Sequence, residues 1–583
     1  MPTLEWIGKD KVVNHHLEVP FRVLERKYSF DENGQHDEDN GSENMIIRGD
    51  NLEALKALLP RYEGRVNCIY IDPPYNTGNE GWVYNDNVND PKIKKWLGEV
   101  VGKEGEDLTR HDKWLCMMYP RLKLLQKLLA DDGVIFISID DTEYANLKLI
   151  CDEIFGSNCF VSNISWQRTY STRNDSKGIV NEVEHLVVYS KLPDWNPNKL
   201  PRTAEMDAKY KNPDNDIMPW TSSDAFAPGA ATHQGMVYAI QHPFTGKLLY
   251  PYNGACWRYQ QDAMLEYMSG WTKYELREID DAEKRAEICG VSEKEIRSGV
   301  MGILLADTLD IAKENASKIL RRGQWPRFYF TNGGKGGIRR KTYIDSVEGK
   351  PPTNYWPYAD VGHTDEAAKI VKAIFGGKAT FDTPKPPRLI ERILQIAGDN
   401  NTLILDSFAG SGTTAHAVLN MNKADGGHRK FILVEMMDYA DSITAERVKR
   451  VIRGYGEGKN AVEGTGGNFS FYDLGEPLMI GDVLNENVGI EKIREYVYFT
   501  DTKASLPESH PDEPYFMGVH IGSAYYFYYE KQAVTTLNRE FLHTVKTKAD
   551  SYVIYADLCT LSEAELEKYH ITFKKIPRDI TKL

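Results

Sequence analysis

Apolar and polar positions follow alternating strand-like and helix-like patterns in two separate parts of the chain. In the first part, residues 45–190, apolar runs such as 134–139 predict buried strands, and stretches such as 120–129 predict amphipathic helices. The alternation breaks down from about 195 to 350 and resumes from about 365 to 455. Strands that alternate with helices form parallel-type sheets covered on both faces, so the pattern predicts one doubly wound α/β sheet whose halves bracket an insert.

The interruptions in this pattern divide the chain into five predicted regions. The insert mixes short aromatic segments with a charged stretch, 275–315, whose pattern predicts a helix. Residues after 470 carry strand and helix signals of their own and predict a further small α/β domain. The regions are an N-terminal arm (1–44), the first half of the sheet (45–194), the insert (195–350), the second half of the sheet (351–469) and a C-terminal domain (470–583).

The composition is that of a soluble globular protein. Of the 583 residues, 41% are hydrophobic and 27% are charged, and no apolar run approaches the roughly 20 residues of a membrane span. The first residues, Met1 to Trp6, lack the basic and apolar segments of a secretory signal. The seven cysteines are scattered without a Cys-x-x-Cys pair, which favours reduced thiols over disulfides or a zinc site. We therefore expect a cytoplasmic protein without a metal site.

Local charge opposes the net charge in one part of the insert. The whole chain carries a net charge of −14, which by itself argues against a polyanionic partner. Residues 321–341, however, combine aromatic side chains with basic ones and contain no Asp or Glu. The basic side chains there are Arg321, Arg322, Arg327, Lys335, Arg339, Arg340 and Lys341. Since a DNA backbone responds to the local field, we interpret this stretch as a phosphate contact, with a solvated basic loop as the alternative.

Two short motifs follow predicted strands in the two halves of the sheet. The first, Asp72-Pro73-Pro74-Tyr75, comes directly after the apolar run 66–71. The Asp72 carboxylate and the Pro73 carbonyl can accept the two N–H bonds of a nucleobase amine, and such bonds strengthen as positive charge develops on nitrogen. Tyr75 offers a flat face for a base flipped out of a duplex. The motif favours methyl transfer to an amine, with a surface turn as the alternative.

The second motif is a glycine-rich turn about 330 residues further on, after a strand that ends at Asp406. Its residues are Phe408, Gly410, Gly412 and Thr413. Glycines let the backbone approach a ligand closely, and the N–H groups of the following helix favour an anion. Glu435 ends the next strand, where an acid suits the two hydroxyls of a ribose. Because the turn is not a G-x-G-x-x-G sequence, it favours S-adenosyl-L-methionine over NAD as the cofactor.

Other short motifs accompany these two. They are Asn51-Leu52-Glu53-Ala54-Leu55-Lys56, Tyr84-Asn85-Asp86, Gly133-Val134-Ile135-Phe136-Ile137-Ser138-Ile139-Asp140-Asp141, Val361-Gly362-His363-Thr364 and Phe381-Asp382-Thr383-Pro384-Lys385-Pro386. Together, and in this order, the motifs resemble those of amino-group DNA methyltransferases of the β arrangement. The chain resembles more narrowly the modification (Mod) subunits of type III restriction–modification systems. The resemblance covers 45–190 and 350–455 closely and is looser between them, where such enzymes differ by target sequence.

The resemblance implies roles for individual residues. In this family an Asp at the first position of the catalytic motif goes with adenine N6 and a Ser with cytosine N4, so Asp72 favours adenine. The insert, 195–350, would be the target-recognition domain. Asp50 would contact the adenine of the cofactor, although an N-cap needs the same residue at the same place. Asp382 and Lys385 would lie in the segment that closes over the methionine end, with a proline-rich helix entry as the alternative.

The resemblance also implies partners. Type III Mod subunits act on duplex DNA, form homodimers and associate with a helicase–nuclease (Res) subunit. Arg168 and Arg173, in a polar stretch after a predicted strand, are candidates to hold the displaced DNA strand or fill the gap left by a flipped base. Other classes stay open: a cytosine-N4 or RNA methyltransferase, or a DNA-binding regulator on a methyltransferase scaffold. The aromatic cluster 525–529 fits either a core or an interface.

Overall fold

The computed structural model describes residues 3–77, 99, 110–170, 179–346, 348–507 and 512–578. The chain forms two compact units. The first consists of Met1–Asn198 together with Pro352–Leu583, and the second of Lys199–Pro351. The second unit lies within a few residues of the predicted insert, 195–350.

The strands, in chain order, are β1 (Arg22–Asp31), β2 (Gly34–His36), β3 (Met45–Arg48), β4 (Val66–Ile71), β5 (Leu129–Ile139), β6 (Phe160–Gln167), β7 (Val183–Ser190), β8 (Trp220–Asp224), β9 (Phe226–Pro228), β10 (Ile240–Gln241), β11 (Leu248–Leu249), β12 (Ala255–Trp257), β13 (Tyr274–Arg277), β14 (Gly302–Leu305), β15 (Phe328–Phe330), β16 (Ile338–Tyr343), β17 (Tyr355–Trp356), β18 (Leu403–Asp406), β19 (Lys430–Glu435), β20 (Gly454–Tyr455), β21 (Val462–Glu463), β22 (Phe469–Pro477), β23 (Met479–Ile480), β24 (Val483–Leu484), β25 (Phe516–His520), β26 (Ser523–Phe527), β27 (Thr536–Leu537), β28 (Ser551–Ala556), β29 (Leu558–Cys559) and β30 (Ile571–Lys575).

The α-helices are α1 (Lys9–Val12), α2 (His15–Glu18), α3 (Asn51–Tyr62), α4 (Arg110–Leu128), α5 (Tyr144–Phe155), α6 (Ala204–Asp207), α7 (Gln261–Ser269), α8 (Ala282–Cys289), α9 (Leu309–Arg322), α10 (Tyr358–Val361), α11 (Thr364–Ile374), α12 (Pro387–Ala397), α13 (Thr413–Asp425), α14 (Glu446–Arg453), α15 (Ile490–Thr502), α16 (Arg539–Leu542) and α17 (Glu563–Lys568).

The first unit is built on one large sheet with the strand order β17-β6-β7-β5-β4-β18-β19-β3-β22-β1-β2. The six strands from β5 across to β22 all run parallel to one another. Strands from before and after the second unit are interleaved in this order, with β18 and β19 between β4 and β3. The predicted doubly wound α/β sheet, discontinuous in sequence, is therefore confirmed.

The pairing of β4 with β18 joins the two halves of the sheet. Cys68 lies beside Ile404, and Ile69 lies beside Leu405. Alternate side chains of an apolar strand face opposite sides of a sheet, and Ile69 and Ile71 enter a core formed with α3, α4 and α5. Helix α12 packs against β4 and β5, and α13 packs against β19.

The carboxyl ends of β4 and β18 lie side by side where the winding of the sheet reverses. From β4 the chain continues to β5 on one side, and from β18 it continues to β19 on the other. Open α/β sheets bind their ligands in the crevice at this point. The two sequence motifs, each directly after one of these strands, therefore meet at the same crevice.

Strand β7 departs from the parallel pattern that the sequence predicted. It runs antiparallel to both β5 and β6, with Ile137 beside Val187 and Ile139 beside His185. Because β7 runs in the opposite direction to β5 and β6, its first residues lie at the edge of the sheet where those strands end. Glu184, the second residue of β7, is thereby placed at the carboxyl ends of β4 and β5.

The second unit contains two small sheets, with the strand orders β11-β10-β14-β13 and β15-β16-β8, and the pair β12-β9. The prediction of one charged helical stretch at 275–315 is wrong. This stretch holds β13, α8, β14 and the start of α9. The helix α8 stops at Gly290, which has a φ of 67°, and β14 is an apolar buried strand. The charged residues on both sides of β14 outnumber its few apolar residues, so the sequence pattern did not predict this short strand.

Both ends of the chain contribute to the large sheet. β1 pairs with β22 and with β2, so the N-terminal segment extends the sheet, and β22 carries the sheet past the predicted boundary at 470. A separate sheet, β25-β26-β28-β30, follows it. Of the aromatic cluster 525–529, Tyr526, Phe527 and Tyr529 are buried in the cores beside this sheet. These three rings are core residues.

All seven cysteines are free thiols. No helix within the described residues has the length and apolar character needed to cross a bilayer. In the same residues, no group of three or more His, Cys, Asp or Glu side chains is arranged to hold a metal ion.

Candidate active site

The Asp72 motif starts directly after the last residue of β4. Trp114, on α4, donates its indole N–H to the carbonyl of Pro74 at 2.7 Å and so anchors the second proline. Within the described ranges no donor reaches the carbonyl of Pro73, which leaves this oxygen as an acceptor. Proline restricts both its own backbone and that of the residue before it, so Asp72 and Pro73 are held in a narrow set of conformations.

The Tyr75 ring is held from two sides. Its hydroxyl donates to Glu184 Oε2 at 3.0 Å, and the Lys385 ammonium lies 5.0 Å from the ring centroid. Burial raises the pKa of Tyr75 well above its usual range, so the hydroxyl stays protonated and keeps donating. The ring therefore has a fixed orientation beside the Asp72 carboxylate.

Asp72 and Lys385 form a buried ion pair. The Lys385 ammonium donates to both carboxylate oxygens of Asp72 at 2.7 Å. Burial raises the pKa of Asp72, and Lys385 opposes that change by favouring the carboxylate. Burial also acts to lower the pKa of Lys385, but the carboxylates of Asp72 and Glu184 outweigh it and raise this pKa overall. From the sequence, Lys385 was predicted to lie in the cofactor segment, whereas its side chain lies at the Asp72 motif.

Glu184 is a site residue that the sequence analysis missed. Its Oε2 atom lies 3.7 Å from the Lys385 ammonium, and its Oε1 accepts from Arg168 at 2.9 Å. The side chains of Asp72, Lys385 and Glu184 are 14%, 8% and 7% exposed. The sequence does carry one signal for Glu184: it is an acid near the start of the apolar strand Val183–Ser190. Since acids are rarely buried without a partner, an acid at this position indicates a paired carboxylate.

The glycine-rich turn follows β18 and leads into α13. Asp406 accepts from the backbone N–H of Phe408 at 3.1 Å and from the Thr414 hydroxyl at 2.6 Å, which closes the turn. Burial raises the pKa of Asp406 to about 7. Gly410 and Gly412 have φ values of 51° and 81°, in the left-handed region that favours glycine.

A side chain at either glycine would also lack space. A Cβ on Gly410 would lie 3.1 Å from the Phe381 ring, and one on Gly412 would lie 3.1 Å from the carbonyl oxygen of Thr444. Phe381 belongs to the segment that also carries Asp382 and Lys385. This segment therefore contacts both the glycine turn and the Asp72 motif.

Glu435, the last residue of β19, faces the same turn. Its Oε2 accepts from the N–H of Gly410 at 2.8 Å, and its Oε1 accepts from the N–H of Met437 at 3.0 Å. Burial raises the pKa of Glu435 to about 7. A buried acid beside a glycine turn at a neighbouring strand end is the arrangement that the sequence predicted.

A buried arginine supports the turn from behind and was also missed in the sequence. Arg447, on α14, donates to the hydroxyls of Ser411 and Thr413 at 2.7 and 2.8 Å. Burial lowers its pKa to about 10, which leaves it charged near neutral pH. Thr413 in turn donates to the backbone carbonyl of Lys385 at 3.2 Å. The glycine turn is thus connected through Thr413 to the backbone of the residue that pairs with Asp72.

The other predicted cofactor residues lie nearby with different exposure. Asp50 caps α3 by accepting from the N–H groups of Leu52 and Glu53 at 2.8 and 3.2 Å. The N-cap is therefore formed, and a contact to a cofactor stays a prediction. Phe408 packs against the main core, and Asp382 is exposed.

The basic residues of 321–341 lie in the second unit, and most of them reach its surface. Arg321 and Arg322 end α9 in exposed positions, and Lys335 is exposed in the turn between β15 and β16. Arg339 and Arg340 are half-buried on β16. Their side chains reach Ser222 and Ser223, and Arg339 also pairs with Asp224 at 2.9 Å. Arg327 lies 5.9 and 5.8 Å from the ring centroids of Tyr259 and Tyr267.

The assignment of Lys341 to DNA binding is wrong. Its side chain is fully buried, and the ammonium donates to the carboxylates of Asp214 and Asp216 and to the carbonyl of Trp325. The ammonium lies 5.1 Å from the Trp220 ring centroid, beside the core of the second unit, and so has no path to solvent. Lys341 neutralises buried acids within the second unit.

The predicted strand-holding arginines have different outcomes. Arg168 follows β6 directly and pairs with Glu184, which places it at the Asp72 motif. Arg173 and the segment Tyr84-Asn85-Asp86 lie outside the described residues.

A wide cleft of about 620 Å³ opens at the opposite end of the large sheet. Asn67, Asp131, Asp399 and Thr402 line it, near the amino ends of β4 and β18. The two motifs lie at the carboxyl ends of the same strands. The cleft is therefore separate from the candidate active site.

Comparison with known proteins gives concordant matches. A family model described as DNA methylase matches residues 66–499. The chain is 32% identical over 483 residues to the Mod subunit of the type III restriction-modification enzyme StyLTI of Salmonella typhimurium. This alignment covers 77% of this chain and 62% of that protein. It is 30% identical over 462 residues to the EcoPI Mod subunit of Escherichia phage P1, covering 74% and 63%.

A relative of another type matches as well. The type II methyltransferase M.KpnI of Klebsiella pneumoniae is 29% identical over 398 residues, covering 68% of this chain and 81% of that protein. The chain thus spans less than two thirds of the length of the two Mod subunits and a larger share of the type II enzyme.

Lys341→Ala is expected to lower the free energy of unfolding of the second unit by about 3–5 kcal/mol, because it leaves two buried carboxylates without a cation. Urea unfolding followed by tryptophan fluorescence measures the change, since Trp220 lies beside the pair. Lys335→Ala, at an exposed turn, is the matched control and should change stability by less than about 0.5 kcal/mol. A Lys341→Ala midpoint equal to that of the natural chain would contradict the structural role.

Proposed function

The chain belongs to the DNA methylase family, whose model matches residues 66–499, and from this premise we propose that it transfers a methyl group from S-adenosyl-L-methionine to N6 of adenine in duplex DNA. One observation carries the proposal. The Asp72 motif and the glycine turn, each at the end of its strand, meet at the crevice formed by the pairing of β4 with β18. An acceptor for an amine and a cradle for a nucleoside cofactor are thereby adjacent.

The residues around the glycine turn fit S-adenosyl-L-methionine. Gly410 and Gly412 offer backbone that a side chain would obstruct, and the N–H groups at the start of α13 favour a carboxylate. Glu435 is suited to the ribose hydroxyls, and Asp50, Asp382, Asp406, Phe408 and Thr413 remain candidates around the ligand. When bound, the cofactor supplies a methyl group on a sulfonium sulfur. The thioether is the leaving group, so no nucleophilic side chain is required.

Asp72 and the Pro73 carbonyl would orient the amine of the target base. Two acceptors on its two N–H bonds favour a more tetrahedral nitrogen, whose lone pair is then available for attack. Tyr75 would stack on the base, and such stacking contributes about 1–3 kcal/mol per base. This contribution helps to offset the unstacking that base flipping requires.

Methyl transfer to labelled nucleosides tests the proposal. Duplex DNA and RNA are incubated with radiolabelled cofactor and digested, and the methylated nucleosides are separated. N6-methyldeoxyadenosine is the expected product. N4-methyldeoxycytidine would assign the enzyme to the cytosine branch, a methylated ribonucleoside would assign it to RNA, and binding without turnover would favour a regulator.

The second unit is proposed to read the DNA. The exposed Arg321, Arg322 and Lys335 and the half-buried Arg339 and Arg340 can contact phosphates. Arg168 can contact the DNA near the flipped base. Similarity to two type III Mod subunits supports a role as a modification subunit. We further propose that it forms a homodimer and binds a helicase–nuclease (Res) subunit in the cytoplasm. Light scattering at micromolar concentration tests the dimer against the monomer mass of 66.4 kDa.

Asp72→Ala is expected to lower kcat for methyl transfer by about 10²–10³-fold, because the amine loses one of its two acceptors. Single-turnover kinetics measures the change, and calorimetry should give a cofactor affinity within about threefold of the natural chain. Asp365→Ala, an exposed helical aspartate, is the matched control and should transfer at the natural rate. Substantial transfer by Asp72→Ala would remove Asp72 from the mechanism.

Gly412→Val is expected to abolish cofactor binding. A branched side chain is strained at a φ of 81° and would collide with the carbonyl oxygen of Thr444. Isothermal calorimetry on the folded variant gives the affinity, with Gly426→Val, an open position at the far end of α13, as the control. Normal affinity in folded Gly412→Val would refute the assignment of the cofactor turn.

Changing Arg321, Arg322, Arg339 and Arg340 together to alanine is expected to weaken duplex binding and to reduce the slope of log affinity against log salt by about 3–4, since each phosphate contact contributes about 0.9. Fluorescence anisotropy over a salt series measures both. Alanine at the exposed lysines Lys247, Lys284, Lys294 and Lys313 removes the same charge elsewhere in the unit and is the control. An equal effect of the two variants would indicate a general charge effect and no local contact.

A further inference from the structure

One buried ammonium lies between two buried carboxylates at the candidate active site. Lys385 Nζ is 2.7 Å from each oxygen of Asp72 and 3.7 Å from Glu184 Oε2. The three side chains come from three different segments: the end of β4, the segment before α12 and the start of β7. Their convergence therefore depends on the tertiary structure.

The Glu184 carboxylate has a fixed orientation and can accept a further hydrogen bond. The Tyr75 hydroxyl donates to its Oε2 at 3.0 Å, and Arg168 donates to its Oε1 at 2.9 Å. These contacts fix the orientation of the carboxylate, and they occupy only part of its acceptor capacity, because a carboxylate offers about four lone-pair sites. Glu184 can accept a further N–H bond from Lys385 after a movement of about 1 Å (3.7 Å against 2.7 Å).

The proposed reaction and the observed ion pair compete for the same atoms. The target amine needs a hydrogen bond to Asp72, and in this structure the Lys385 ammonium bonds to both oxygens of that carboxylate. An ammonium at this position also places a cation where positive charge would develop on the amine nitrogen, which opposes the transfer. Asp72 keeps acceptor sites beside these two bonds. It is the charge of the ammonium that we expect to move it away from Asp72 as the amine binds.

Resting on the proposed function, we propose that Glu184 is a second ion-pair partner for Lys385, which receives the ammonium when the target base enters and so frees Asp72 for the amine. Glu184 is then a positioning residue, because it acts on the reaction through Lys385. In this structure Lys385 separates two like charges, and with the base bound it stays paired.

The surroundings of Lys385 allow a movement of the side chain alone. Its backbone carbonyl accepts from Thr413, which ties the main chain to the glycine turn. Its ammonium lies 5.0 and 6.0 Å from the ring centroids of Tyr75 and Trp166, and aromatic faces stabilise a cation between two partners. A lysine has a flexible four-carbon stem, so a shift of this size needs only rotamer changes.

A double-mutant cycle on base entry tests the proposal with the full chain. The methylation site is first mapped by methylation-sensitive sequencing of DNA treated with the natural chain. 2-Aminopurine is then placed beside the target adenine of a duplex that carries this site, and its fluorescence reports extrusion of the neighbouring base. The four proteins are the natural chain, Glu184→Gln, Lys385→Met and the double variant. We expect Glu184→Gln to reduce the base-entry equilibrium constant by about tenfold when Lys385 is present and by less than about twofold when it is methionine, because coupling appears only between interacting residues.

The control variants separate this role from a structural one. Glu184→Asp keeps the charge and should restore base entry at least about threefold relative to Glu184→Gln, in kinetics as well as fluorescence. Glu182→Gln removes a charge two residues away and should leave base entry unchanged. Thermal melting checks that each variant is folded. An equal loss from Glu184→Gln in both backgrounds, or no loss with Lys385 present, would overturn the proposal.

Different results would overturn the proposed function and the role of Glu184. A natural chain that methylates no nucleoside in DNA or RNA would overturn the proposed function and this inference with it. A natural chain that methylates DNA but shows no coupling between Glu184 and Lys385 would overturn only the inference.

Discussion

The parallel pairing of β4 with β18 is the constraint on which the candidate active site depends. It joins two strands about 330 residues apart in sequence, and both motifs emerge from it at the same edge of the sheet. Both strands are buried, so moving either one would expose apolar side chains to water, at a cost of about 25 cal/mol per Å². The position of Asp72 relative to Gly410 is therefore set by the stability of the core.

Buried charge is the second constraint at the site. Taking a single ion out of water costs several kcal/mol unless it is paired and hydrogen-bonded. Asp72, Lys385 and Glu184 meet this condition as a group, with Arg168 at the more exposed side. Arg447 has no carboxylate pair among the described residues and is hydrogen-bonded to hydroxyl acceptors behind the glycine turn. Hydrogen bonds through Thr413 link the two groups, so the Asp72 motif and the glycine turn are held in one network.

The second unit shows how the location of a charge decides its role. Arg340 and Lys341 are adjacent in sequence, yet one side chain reaches the surface and the other is fully buried between two aspartates. Burial thus differs within one short strand, since Arg339 and Arg340 are half-buried and Lys341 lies in the core. A basic stretch therefore predicts a nucleic-acid contact only for the side chains that its strand exposes.

By itself, the sequence determined the architecture and the two motifs, because both depend on the order of residues within short segments. Apolar periodicity identified the α/β alternation and its interruption, and Asp72, Gly410, Gly412 and Glu435 were recognisable from their position after predicted strands. Only the tertiary structure decided the antiparallel course of β7, the approach of Lys385 to Asp72, and the roles of Glu184, Arg447 and Lys341. These depend on contacts between segments far apart in the chain, and a single side chain carries no local signal of the partner that compensates its burial. Pairing and burial are set by the folded core, which is why they could be read only from the assembled molecule.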